Sequence, residues 1–275
     1  MAEWGALRRF TPARVALGRA GNGLPTAAHL AFQAAHAAAR DEVGRALDVA
    51  GLARALAAAG FSSIAVRSSA EERRIFLRRP DLGRRLAAGE AARLGAAAAP
   101  GAIAFVVADG LAAEAVAAEA VPLLSRVVPA LVREGQSVAP VVIAEQGRVA
   151  LGDEIGAALR AEAVAVLIGE RPGLSAPRSM GIYLTWAPQP GRTTDAERNC
   201  ISNIRPGGLS RADAAETLLW LMREMRRRRL TGVALKDERH QGLCPWTGPQ
   251  RAMRVESPTP PGPKGSSMGT LDPPT

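Results

Sequence analysis

The chain has 275 residues, 47% of them apolar and 22% charged, which suits one large buried core in a globular protein. Two cysteines, Cys200 and Cys244, exclude a disulfide scaffold, and three scattered histidines exclude a structural zinc site. The net charge of +9 is carried almost wholly by arginine, since the only lysines are Lys236 and Lys264; with 4% aromatics and no nucleic-acid module it does not predict a nucleic-acid binder.

Residues 1–30 are rich in Arg and Gly, with turn signals at Gly18, Gly21, Gly23 and Pro25. The start of the chain has no apolar h-region, and no run of about 18 consecutive apolar residues occurs, so neither a secretory leader nor a membrane span is expected. From Thr26 to Ala59 an Ala-dominated stretch predicts two or three helices divided at Gly44, Gly51 and Gly60, with Thr26 as a candidate cap. Ser63 to Ser69 is a short apolar run that reads as a strand or an extended link. The basic stretch from Arg73 to Leu86, with its Pro80-Asp81 turn, reads as a solvated loop and helix start. Residues 1–99 are thus expected to form a mainly helical region.

After Pro100 short apolar runs alternate with helical stretches. Ile103 to Val107, Val138 to Ala144, Ala163 to Ile168 and Met180 to Ala187 read as strands. Ala112 to Glu134, Asp153 to Arg160 and Ser210 to Arg229 read as helices, and Gly232 to Leu235 as a last short strand. Continuous apolar runs of this kind mark strands buried on both faces. The predicted fold class is therefore α/β, with an open, mainly parallel, Rossmann-like sheet over residues 100–236 and the helical region beside it. Residues 237–275 differ: 13 of these 39 positions are Gly or Pro, and four acidic residues balance four basic ones. Such a segment cannot offset its ordering entropy by burial, so a disordered tail is expected, with Cys244 outside any site.

In open α/β sheets ligands bind beyond the carboxyl ends of the strands. Asp109-Gly110, Gln146 to Val149, and Gly169 to Gly173 follow the first three strands, and Arg198 to Asn203 follows the fourth across a Pro/Gly turn. Four polar loops at one edge would form a crevice. Neither a GxxxxGK[ST] loop nor a GxGxxG turn is present, so nucleotide binding of the usual kinds is not expected. No histidine lies between His36 and His240, which leaves no imidazole for a hydrolytic triad. Cys200 has no base close in sequence, and reads either as a packing residue or as a ligand contact. Glu170 reads either as a salt-bridge partner of Arg171 or a nearby loop arginine, or as an acceptor for a ligand's N–H or O–H groups. Asp109 is expected to cap the following helix.

Within these segments the sequence resembles the small subunit (light chain) of ethanolamine ammonia-lyase. The stretches that carry the resemblance are ARVALGRAG at 13–21, LRRPDLGRRL at 77–86, VVADGL at 106–111, GRVALGDEIGAAL at 147–159, VLIGERPGL at 166–174 and RNCISNIRPGG at 198–208. It spans residues 5–236, and the tail departs from it. The resemblance implies a heteromeric, adenosylcobalamin-dependent enzyme that converts ethanolamine to acetaldehyde and ammonia by a radical route. A large TIM-barrel subunit would carry the substrate site and the catalytic residues, leaving none in this chain. This chain's α/β domain would bind and close over the cobalamin, through the positions matching Val149, Glu170 and Cys200. A DxHxxG loop is absent, so the cofactor's own dimethylbenzimidazole is expected to stay on cobalt. The two cysteines fit a reduced, cytoplasmic setting, and the resemblance leaves open a bacterial microcompartment or the free cytosol within it. Two other readings compete: a stand-alone enzyme using Cys200, and a basic scaffold protein.

Overall fold

The structure is a computed structural model that describes residues 5–11 and 13–239. The chain divides into two units, Met1–Asp237 and Glu238–Thr275. Beyond Arg239 the expected disordered tail, Cys244 included, lies outside the described residues.

In the first unit, helices α1 (Thr26–Gly44) and α2 (Val49–Ala58) precede strand β1 (Ser63–Arg67), and the short helices α3 (Arg73–Arg78) and α4 (Glu90–Ala96) follow it. Then β2 (Ile103–Ala108), α5 (Ala113–Arg133), β3 (Val141–Glu145), α6 (Leu151–Leu159) and β4 (Ala163–Gly169) alternate. The chain continues through β5 (Met180–Trp186), β6 (Arg198–Ile204) and α7 (Arg211–Arg228). One six-stranded sheet results, in the order β1-β3-β2-β4-β5-β6. The first four strands in this order pair in parallel, whereas β5 runs antiparallel to β4, and β6 to β5. The open, mainly parallel α/β sheet is thus present, extended at one edge by an antiparallel pair.

Side-chain alternation explains why the parallel strands read as unbroken apolar runs. Ile103, Phe105 and Val107 of β2 point into a core shared with α2, α5 and α7, while Ala104, Val106 and Ala108 point into a second core under α4 and α6. On β4, Ala163, Ala165 and Leu167 face the first core and Val164, Val166 and Ile168 the second. Both faces are covered, so every position is apolar. Helix α6 approaches β4 closely: a Cβ on Gly152 or Gly156 would lie 2.5 Å from a methyl of Val166 or Val164. Helix α5 is long and apolar enough by length and composition to cross a membrane, a match that counting unbroken apolar runs passes over. Half of its most apolar stretch is buried inside the fold, with Val116, Leu123, Leu124 and Val127 fully covered.

Three sequence expectations change. The strand β1 lies within the stretch 1–99 expected to be mainly helical beside the sheet; instead it is a parallel edge strand of that sheet, with Ser63 to Arg67 in register with Val141 to Glu145. The segment Arg198 to Asn203, expected as a loop, lies in β6. As an edge strand it buries only Arg198, Ile201 and Ile204, and Cys200, Ser202 and Asn203 face outward. Gly232 to Leu235 forms a 3-10 turn (Gly232–Ala234) rather than a strand. The Asn199 side chain accepts from the Gly232 N–H at 2.8 Å and donates to the Gly232 and Leu235 carbonyls, so side-chain bonds replace a strand ladder.

Candidate functional site

β2 has β3 on one side and β4 on the other, so the chain winds away from it in both directions and the carboxyl ends of the three strands frame a crevice. Its floor is tightly apposed backbone. A Cβ on Gly110, whose φ is +53°, would lie 2.2 Å from the Gly169 carbonyl oxygen, and one on Gly169 would lie 2.4 Å from the Ala112 and Asp109 carbonyl oxygens. The Leu111 N–H donates to the Gly169 carbonyl at 2.9 Å and ties the two strand ends together. Only glycine leaves room for that approach.

Asp109, 1% exposed, organises one wall. Its Oδ2 accepts from Arg73 Nη1 at 2.9 Å and the Gln146 N–H at 3.1 Å, and its Oδ1 accepts from the Gly147 N–H at 3.0 Å. Burial pushes this carboxyl up to about 6, against the opposing pull of Arg73 and the backbone N–H groups. The expected helix-cap role is not what Asp109 does: the N-cap of α5 is Ala112, with no side-chain cap bond. The carboxylate instead clamps the loop after β3 onto the end of β2.

The crevice has two lobes of about 510 and 470 Å³ that share Arg148, Val149 and Tyr183. Arg84 and Asp195 line the first, Glu170 and Arg171 the second. Val149 and Glu170 therefore meet in one space. Glu170 does not pair with Arg171; its Oε2 accepts from the Asn203 N–H of β6 at 3.0 Å. Its Oε1 takes no hydrogen bond among the described residues and rests against Gly181, where a Cβ would approach to 3.0 Å. Cys200 does not itself line either lobe, but it stands directly across the ladder from Tyr183. Burial is the main cause that raises the Tyr183 hydroxyl, with Cys200 next; burial likewise raises the Cys200 thiol. The neighbouring Arg198 does not activate the thiol. Its guanidinium lies in a bidentate pair with Asp153, at 2.8 and 2.7 Å, and donates to Thr185 Oγ1 at 3.1 Å. A protonated, unassisted thiol is a poor nucleophile, which argues against a stand-alone enzyme built on Cys200.

Sequence reasoning gave too little weight to the segment 73–86. Phe76 is fully buried and holds the guanidinium groups of Arg148 and Arg73 over its ring, at 4.2 and 4.8 Å. Gly83 lies against Arg148 and Phe76, and its carbonyl accepts from the Arg148 N–H at 2.8 Å. The expected helix start is present at Arg73 and most of the segment is exposed, but through Phe76, Gly83 and Arg84 it also forms a wall of the crevice. Its only sequence signal was a buriable Phe among arginines. For Tyr183 the signal was rarity, since it is the sole tyrosine of the chain. Among the described residues no group of three His, Cys, Asp or Glu side chains converges to hold a metal.

Comparison with known proteins bears on this geometry. The family described as ethanolamine ammonia-lyase light chain (EutC) matches residues 1–236. The chain belongs to that family. It is 56% identical over 239 residues to the ethanolamine ammonia-lyase small subunit of Azotobacter vinelandii, covering 86% of this chain and 88% of the relative. The small subunit of Xanthomonas campestris pv. campestris is 54% identical over 244 residues, covering 87% and 89% respectively. That of Pseudomonas aeruginosa is 52% identical over 253 residues, covering 89% and 92%. The light-chain match ends where the first structural unit ends, so the crevice and its walls lie inside the family's span.

Proposed function

We propose that this chain works within ethanolamine ammonia-lyase as the subunit that presents the strand-end crevice to adenosylcobalamin, while a larger partner subunit holds ethanolamine. One observation carries the reading: Val149, Glu170 and the Tyr183–Cys200 pair gather around a single crevice, although they come from four separate segments.

The residues fit a corrinoid on chemical grounds. A corrin is a broad apolar disc fringed with amides. Val149 offers an apolar contact shared by both lobes. The unfilled Oε1 of Glu170 can accept from an amide N–H or a ribose O–H, while Oε2 stays on the Asn203 N–H and fixes the carboxylate. Tyr183 and the neutral Cys200 give a polarisable, uncharged surface that neither ligates a metal nor attacks the ligand. When bound, adenosylcobalamin supplies the radical chemistry of the reaction. This chain's residues bind and orient the corrin, and exclude water from the face they cover.

The test uses the complex of both subunits. Glu170→Ala should weaken cobalamin binding, read by absorbance titration, by about tenfold, the loss of one hydrogen bond to a charged acceptor. The ethanolamine KM at saturating cobalamin should stay within about twofold, a change of less than about 0.5 kcal/mol. Glu170→Gln keeps an acceptor for the Asn203 N–H and controls for loosening of β6. Unchanged cobalamin affinity in Glu170→Ala would remove Glu170 from the role.

A further inference from the structure

Positive charge outweighs negative charge around the crevice. Arg148 lines both lobes, Arg84 the first and Arg171 the second. Arg73, behind them, is paired with Asp109 at 2.9 Å. Arg84, Arg148 and Arg171 have no ion-pair partner among the described residues. Of the carboxylates that line the lobes, Asp195 pairs with Arg198 at 3.3 Å, and Glu170 is engaged by the Asn203 N–H. Arg148 is also poorly solvated. Its head lies on Phe76, Nη2 donates to the Phe76 carbonyl at 3.3 Å, and Nε is buried with no hydrogen-bond partner. Burial lowers its affinity for a proton first, and the like charges of Arg73 and Arg84 add to that effect; Asp109 gives only partial relief. Holding three guanidinium groups together in a half-desolvated crevice costs free energy unless an anion answers them. A planar guanidinium fork matches phosphate oxygens better than any other common anion-binding side chain does.

We infer that Arg148, flanked by Arg84 and Arg171, forms an anion subsite that takes a phosphate ester. The assignment rests on the cobalamin reading above in one respect: in a cobalamin the only phosphate is the phosphodiester of the nucleotide loop, so the subsite would fix that loop beneath the corrin. It also divides the labour of the crevice. Glu170 and Val149 recognise the corrin, and the arginines recognise the nucleotide arm.

The two-subunit complex is titrated with three probes: cobinamide, which lacks phosphate; cobinamide phosphate, which differs by that group alone; and inorganic phosphate. The wild-type complex should bind cobinamide phosphate about tenfold or more tightly than cobinamide, the size of one charge-assisted hydrogen bond. Arg84→Gln and Arg171→Gln, both exposed positions, should each shrink that ratio and leave cobinamide affinity unchanged. Arg148→Gln should abolish the ratio, and circular dichroism of this variant checks that the fold survives. Equal loss for both corrinoids, or no loss for either, overturns the assignment. If neither corrinoid binds but inorganic phosphate binds and is lost in the variants, the anion subsite stands and the cobalamin reading falls. If no probe binds, both fall.

Discussion

The parallel strands β1 to β4 and the antiparallel pair β5–β6 share one sheet but are built on different terms. β2 and β4 are buried along their whole length, and their contacts are apolar or backbone-to-backbone. β6 buries three residues of seven and turns Cys200, Ser202 and Asn203 outward. The two halves meet through the β4–β5 ladder, and polar side chains fasten them beyond it. Asp153 of α6 grips Arg198 of β6, and Glu170 at the end of β4 holds the Asn203 backbone. The crevice lies across this seam. Arg148, Val149 and Glu170 come from the parallel side, Tyr183 and Cys200 from the antiparallel side. The rigid half positions the loops, and the polar half closes the site against them.

That contrast can be broken at the seam. Arg198→Ala leaves Asp153 charged, buried and unpaired, with an expected loss of about 3–5 kcal/mol in denaturant unfolding. Arg198→Met together with Asp153→Leu should recover much of it, because a buried pair replaced by apolar groups is often neutral. A loss under about 1 kcal/mol in the single variant would show that the ladder alone joins the halves.

Within the parallel half the sensitive contact is steric. Gly169→Ala places a methyl 2.4 Å from two carbonyl oxygens and should cost about 1–3 kcal/mol. An alanine tolerated there without a shift in midpoint would mean that the strand ends are looser than the structure shows.

The effect with the smallest slope is a pH dependence. Asp109 has its folded pKa raised to about 6, above the ordinary carboxyl value of about 3.9. Between these values the folded protein keeps a proton that the unfolded chain has released. Its contribution to stability therefore falls as pH rises through that window, by at most about 1.4 kcal/mol per pH unit, and is level above it. Asp109→Asn should remove that slope; parallel pH profiles for the wild type and the variant would contradict it.

The parallel half was readable in the sequence because burial on both faces leaves no polar position to blur β2, β3 and β4. β6 was not, since an edge strand carrying Arg198, Asn199, Ser202 and Asn203 has the composition of a loop. The rule that ligands sit beyond strand ends marked the segments that hold Val149, Glu170 and Cys200, and the family resemblance singled out those three candidates within them. Arg84 and Phe76 escaped because their part depends on a tertiary contact, the stacking of Arg148 on a ring more than 70 residues away in sequence. Asp109 was placed near the site, but its partners Gln146 and Gly147 lie on another strand's loop, where local capping rules cannot see them.

The most direct test of the crevice as the corrin-facing surface is Val149→Asp in the assembled two-subunit complex, because Val149 lines both lobes and only its partly buried side chain borders the second core. A carboxylate in place of that apolar contact should weaken cobalamin binding by about tenfold or more, with subunit association and circular dichroism unchanged. Wild-type affinity in that variant would place the corrin somewhere other than this crevice.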